Sequence, residues 1–190
     1  VIPGTSQTLI PTQSDRLDGG AGFDEVLFFG GDLDAAGRPV PDYVAIKYNT
    51  LLHRFEFGAL VWDVEGQAFL PDPAGTGAGL RRFAFYQARN TERTVIDTRS
   101  GDDEVHADPG FIFAHTIGTW GIAPGSLQQG GGLGALTIRG GPGQDRLFGG
   151  ALADAIDGGS GIGFLLGGGG DDLITGGEGE GLLQRGRQHP

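Results

Sequence analysis

Three aspartates toward the C-terminal end fall on a nine-residue grid: Asp145, Asp154 and Asp172. Each follows a glycine-rich stretch whose backbone carbonyls can turn toward a common point. Carboxylates together with carbonyls are hard oxygen ligands. They suit Ca²⁺, which takes six to eight oxygens at about 2.3–2.6 Å. The first question is therefore which elements would hold these aspartates in place.

The stretch 140–184 divides into five units laid end to end: GGPGQDRLF, GGALADAID, GGSGIGFLL, GGGGDDLIT and GGEGEGLLQ. The first two positions are Gly in every unit. The fourth is Gly143, Leu152, Gly161, Gly170 and Gly179. The sixth is Asp145, Asp154, Gly163, Asp172 and Gly181, and the eighth is Leu147, Ile156, Leu165, Ile174 and Leu183. The glycines permit a tight turn with positive φ. The last three residues of each unit form a short strand whose middle residue points inward. One such strand cannot bury enough apolar surface, but stacked copies can. The spacing predicts a solenoid with an apolar ladder inside and aspartates at its turns.

This stretch resembles the RTX (repeats-in-toxin) nonapeptide family, whose pattern is GGxGxDxUx with U apolar. The resemblance implies a parallel β-roll in which two nonapeptides make one coil. It implies Ca²⁺ between turns stacked on the same side, with carboxylate from the sixth position and carbonyls from the glycine-rich turn. It also implies secretion, and so an extracellular or cell-surface location, in a Gram-negative-type bacterium. On this scheme the first, third and fifth units share one side, where Gly163 and Gly181 leave Asp145 without a partner. The second and fourth share the other side and keep Asp154 and Asp172. The expectation is one good calcium site at Asp154 and Asp172, with Asp171 as an extra oxygen, and a weaker one at Asp145. Leu152 in place of the fourth-position Gly predicts a distorted turn. The competing reading is a metal-free glycine-rich solenoid.

Fragments of the pattern occur earlier. TQSDRLDGGAGFDEVLF (12–28) puts Asp15 and Asp24 at sixth positions, with Leu17 and Val26 at eighth ones. TRSGDDEVH (98–106) does the same with Asp103 and Val105. Asp24, Asp103 and Asp15 therefore join the metal-ligand candidates. Between the fragments, DYVAIKYN, HRFEFGALVWD, RRFAFYQA, TVIDT and ALTIRG alternate with period two and read as strands. PDP (71–73), GTGAG (75–79) and QQGGGLG (128–134) separate them as turns. The predicted fold is all-β, a parallel β-solenoid. Residues 1–139 form an irregular solenoid with partial units at 12–28 and 98–106, 140–184 a regular roll, and 185–190 a tail. The alternative is a separate β-sandwich followed by a short roll. Phe55, Phe57, Trp62, Phe83 and Phe85 are expected to fill the core of the N-terminal part.

Composition narrows the function. The chain has 190 residues, of which 39 are Gly; interior glycine costs a helix about 1 kcal/mol relative to Ala. A net charge of −11, with Lys47 the only lysine, argues against nucleic acid or an anionic membrane as partner. The chain has no cysteine, hence no disulfide framework and no thiolate metal site. No apolar run approaches the length needed for membrane insertion. The sequence opens on Val1 without a leader pattern, as expected of a mature piece or an excised segment.

Catalytic motifs are absent: there is no HExxH, no GxSxG and no P-loop. DLDAAG (32–37) fails as an EF-hand start, because Ala36 and Tyr43 stand where ligands belong. Asp102, Asp103, His106, Asp108 and His115 together raise transition-metal or acid–base chemistry. The plainer reading is a solvated turn, with His106 at an outward ninth position. The function expected is a non-enzymatic, calcium-binding structural segment that acts as a spacer, adhesin or self-assembling element. Its partners would be calcium ions and neighbouring solenoid segments or copies of itself. The alternatives are a polysaccharide-binding module using Arg54, Trp62, Arg82 and Tyr86, and, less well supported, a β-helix polysaccharide lyase or epimerase.

Overall fold

The structure, a computed structural model, describes residues 15–49, 54–60, 62–69, 83–107, 135–179 and 181–184. Its strands follow in chain order as β1 (Asp15–Asp18), β2 (Glu25–Phe29), β3 (Tyr43–Asn49), β4 (Arg54–Leu60), β5 (Trp62–Asp63), β6 (Ala68–Phe69), β7 (Phe83–Arg89) and β8 (Arg93–Asp97). They continue as β9 (Glu104–His106), β10 (Leu136–Arg139), β11 (Arg146–Phe148), β12 (Ala155–Asp157), β13 (Phe164–Leu166), β14 (Leu173–Thr175) and β15 (Leu182–Gln184). No helix occurs among the described residues, and so none is long and apolar enough to cross a membrane.

From β8 onward successive strands alternate between two parallel sheets. One carries β9, β11, β13 and β15; the other carries β8, β10, β12 and β14, with β2 at its outer end. Two nine-residue units therefore make one coil, and the fold is an all-β parallel roll. The chain passes between the sheets at two edges. The first edge holds turns 98–103, 140–145 and 158–163 and the start of a fourth at 176–179. The second holds turns 149–154 and 167–172.

Two apolar ladders meet inside. On one sheet Val44, Val105, Leu147 and Leu165 lie in register, all buried. On the other Ile96, Ile138 and Ile156 do the same. Each side chain fully buried in this way contributes roughly 1.5–3 kcal/mol. Leu183, the last step of its ladder, is 49% exposed because no described rung lies beyond it.

The N-terminal part departs from simple coiling. β3 continues the first sheet in parallel with β9, so Val44 joins the ladder. β4 then pairs antiparallel to β3, β7 antiparallel to β4, and β1 parallel to β7. β3, β4 and β7 are seven-residue runs without a paired-glycine turn every nine residues. They lie side by side as antiparallel neighbours instead of wrapping between sheets.

The 12–28 fragment is also displaced. Phe28, not Val26, stands level with Ile96 on the ladder. A shift of two residues preserves the facing, so Val26 is still buried, at the level of Thr94 and Leu136. Leu17, read from sequence as inward, is 44% exposed.

Candidate metal centre

The sixth-position aspartates form columns along both edges. On the second edge the Leu136 N–H donates to Asp154 Oδ1 at 2.8 Å, and the Asp154 N–H donates to Asp172 Oδ1 at 3.0 Å. The Gly150 N–H donates to Asp154 Oδ2 at 2.6 Å. Each carboxylate thus takes the N–H of the rung before it. Asp154 and Asp172 are buried, with 3% and 5% exposure. Burial pushes the Asp154 carboxyl up to about 6; the Leu136 and Gly150 N–H bonds oppose this and the Asp172 charge adds to it.

The first edge repeats the pattern with partners that lie far away in sequence. The Asp103 N–H donates to Asp145 Oδ1 at 3.1 Å, and the Asp42 N–H donates to Asp103 Oδ1 at 2.8 Å. Asp145 is thus not isolated. Its neighbours are on the N-terminal side of the stack, while Gly163 and Gly181 follow it. Burial pushes Asp42 and Asp145 up to about 7, and the Asp103 charge adds to both shifts. Burial also raises Asp103.

The glycines allow the carboxylates to fold back. A Cβ at Gly167 would collide with Asp172 Oδ2, one at Gly140 with Asp145 Oδ2, and one at Gly30 with Asp42 Oδ2. The turn with Leu152 is built differently. Gly168 and Gly170 take φ of 92° and 97°, but neither Gly150 nor Leu152 takes a positive φ. Asp154 still reaches its partners.

These residues fit a hard cation. The donors at both edges are carboxylate and carbonyl oxygens, with no thiolate or imidazole. Asp145 Oδ2 is buried and accepts no hydrogen bond; Asp103 is buried as well, and a hydrogen bond from the Thr98 side chain opposes the effect of burial on its carboxyl. Among the described residues no three carboxylates or imidazoles converge on one point. A cation would therefore draw on neighbouring aspartates of one column and complete its shell from backbone carbonyls.

Other candidates lie apart. Asp24 precedes β2 on the second edge and exchanges backbone and side-chain bonds with Glu92. Its Oδ2 is buried without a hydrogen-bond partner, but β8 and β10 separate it from Asp154. Asp15 begins β1, opposite Tyr86 and three strands from β3, and joins neither column. Asp171 is exposed. His106 is not solvated. It stacks on Phe148 at 4.3 Å between ring centres, because ninth-position side chains of consecutive rungs lie in register, and its Nε2 meets Glu104 Oε1 at 2.6 Å. Asp108, His115 and Arg82 lie outside the described residues. Arg54, Tyr86 and Trp62 fall in β4, β7 and β5, and Trp62 packs edge-on against Phe69. In the loop at 32–37, Asp34 caps an exposed turn, accepting N–H bonds from Ala36 and Arg38.

Asp42 is the residue that sequence reading passed over. Its signal is present: GG at 30–31, then Asp42 and Val44 in the sixth- and eighth-position relation, with the intervening turn expanded. Gly31 takes φ of 92°, close to the 85° of the second-position Gly141.

In comparison with known families, the RTX calcium-binding nonapeptide repeat matches this chain in four copies, over residues 12–26, 131–165 and 152–183. No curated protein and no solved structure gives a significant match. The C-terminal part of the match begins at 131 and so takes in a further unit, GGLGALTIR, whose sixth and eighth positions are Leu136 and Ile138.

Proposed function

We propose, taking as premise that this chain carries RTX calcium-binding nonapeptide repeats, that it is a non-enzymatic, calcium-stiffened spacer of a secreted or cell-surface protein. The observation that carries this reading is the column on the second edge. Asp154 and Asp172 occupy the same position on adjacent rungs, buried, with Asp154 N–H bonded to Asp172 Oδ1. Bound Ca²⁺ would neutralise these buried carboxylates. The residues to hold it are Asp154 and Asp172, with carbonyl oxygens of the 149–154 and 167–172 turns. Each rung contacts only its neighbours, so joining adjacent rungs stiffens the whole stack. Ligands from turns 18 residues apart meet only in the folded chain, so binding free energy becomes folding free energy. A spacer also accounts for the absence of a catalytic motif in the sequence.

The test is circular dichroism and thermal melting of the whole chain, first in chelator and then across a Ca²⁺ titration, with Mg²⁺ as control. The reading expects a rise in melting temperature with Ca²⁺ that the Asp154→Ala/Asp172→Ala double variant largely loses. Identical melting of wild type in chelator and in Ca²⁺ would overturn it.

A further inference from the structure

We infer that copies of this chain stack end to end, with β14 and β15 of one copy laid against β2 and β1 of the next. The inference goes beyond the spacer reading. It rests on strand direction, backbone polarity and side-chain facing at the two ends of the stack.

Strand direction comes first. In the second sheet every strand from β2 to β14 is parallel to its neighbours. In the first sheet β4 reverses against β3 and β7 reverses against β4, so the two reversals cancel. β1, parallel to β7, therefore runs the same way as β3, β9, β11, β13 and β15. The two ends thus match in both sheets at once. Among the described residues no strand pairs with the far side of β1, β2, β14 or β15. An open strand edge is a template for pairing with another chain.

The backbone groups agree. The Gly30 N–H donates to the Asp97 oxygen, so by alternation Glu25, Leu27 and Phe29 turn their N–H and C=O groups away from β8. The Leu173 N–H donates to the Asp154 oxygen, so Ile174 turns its own groups away from β12. Laid parallel, β14 and β2 would pair as the inner rungs do. The side chains complete the match. Leu17 stands level with the buried Ala88 and faces inward, yet is 44% exposed. Leu183 faces inward at the other end and is 49% exposed. Stacked, each would cover the other, as Leu147 and Leu165 do within one copy. On the second edge Asp24 lies over Gly19 as Asp172 lies over Gly167. Asp172 takes the N–H of the rung before it, whereas Asp24 Oδ2 is buried, accepts no hydrogen bond and has no described rung before it. The 167–172 turn of the preceding copy would stand where that rung is missing.

A single extended peptide fits only one edge. Meeting both takes a partner with two parallel strands at the roll's own spacing, and the opposite end of a second copy is such a partner. The two ends differ, so the junction is heterologous and leaves a fresh end after every addition.

The test is sedimentation velocity of the whole chain in Ca²⁺, from micromolar to millimolar concentration, with salt to screen the −11 charge. Wild type should grow in mass with concentration without stopping at a dimer. Leu183→Lys and Leu17→Lys alter positions half-exposed in a single copy and put a charge into the junction. Each variant alone should stay monomeric. An equimolar mixture should form dimers and nothing larger, because each variant keeps the end that the other has lost; complementation also shows that both are folded. A wild type that stays monomeric or stops at a dimer, or a mixture of the two variants that forms no dimer, would overturn the inference. A monomeric wild type that still melts higher in Ca²⁺ would leave the spacer reading standing, and a growing one whose melting ignores Ca²⁺ would overturn that reading alone.

Discussion

Gly163→Asp is the most informative single substitution. Gly163 lies level with Asp145 on the first edge, because Phe164 pairs with Arg146. A Cβ there would meet Leu165 Cδ2 at 3.5 Å and the Asp145 oxygen at 3.6 Å, ordinary contacts, and φ is not in the left-handed region. The side chain therefore fits, and what it changes is charge. Neighbouring strands stand about 4.8 Å apart. Two full negative charges at that spacing repel by about 3.5 kcal/mol at an effective dielectric of about 20. Partial protonation of Asp145 lowers this, so a cost of about 1–3 kcal/mol is expected in chelator. For a chain of this size that is a fall in melting temperature of about 2–12 °C. In Ca²⁺ the sign reverses. A new site saturated at a hundred times its dissociation constant adds about 2.7 kcal/mol, and the variant should melt at or above wild type. Melting in chelator and in Ca²⁺, with calorimetric stoichiometry, decides the matter. Gly163→Asn, similar in shape but neutral, should show neither the penalty nor the added site. An equal fall in melting temperature with and without Ca²⁺, at unchanged stoichiometry, would refute the claim that this edge is organised around a cation.

Two further outcomes follow from the same geometry. Asp42 and Asp145 are pushed up to about 7 and Asp154 to about 6, from an ordinary value of 3.8. The folded chain then holds more protons than the unfolded one between those values, so stability falls as pH rises through the window; in chelator, melting should be higher at pH 5 than at pH 8, and saturating Ca²⁺ should flatten or invert that slope. Gly140→Ala would set its methyl against the Asp145 carboxylate, with Cγ and Cβ also within 3.0 Å, so turning the side chain gives no relief. It should cost about 1–3 kcal/mol by overpacking and weaken Ca²⁺ binding. Gly163→Ala, with no contact closer than 3.5 Å, should be neutral or stabilise by up to about 1 kcal/mol by restricting the unfolded chain; urea denaturation of both variants checks the contrast.

The regular part of the fold was legible because its two periods coincide. A glycine pair every nine residues and an apolar residue at each eighth position leave few ways to bury Leu147, Ile156 and Leu165 other than on alternating faces of a two-sheet roll. From that alternation the Asp154–Asp172 neighbourhood follows without coordinates, and the hydrogen bond between them agrees. Asp145 was harder. Its partner Asp103 is 42 residues away, because the chain between β9 and β10 is long, and counting in nines cannot cross such an insertion. Asp42 was harder still, since ten residues separate Gly31 from it where an ordinary unit has three. The antiparallel layer left no nine-residue signature: period-two alternation in β3, β4 and β7 marks strands but carries no information on their direction.

The same reasoning explains why an aspartate column can cross from the roll into non-repeat chain. What the column needs at each rung is local: a residue that lets a carboxylate fold back, an aspartate ahead of the strand, and an apolar residue two positions on. Gly30, Asp42 and Val44 meet those conditions at the head of β3 just as Gly140, Asp145 and Leu147 do at the head of β11. Whatever path the chain takes between the glycine and the aspartate, the parallel pairing of β3, β9 and β11 returns the carboxylates to one line. Backbone register, and not sequence spacing, therefore defines the aspartate column. An insertion in a turn lengthens the loop without breaking the column, whereas loss of parallel pairing ends it, as it does where β4 turns back antiparallel to β3.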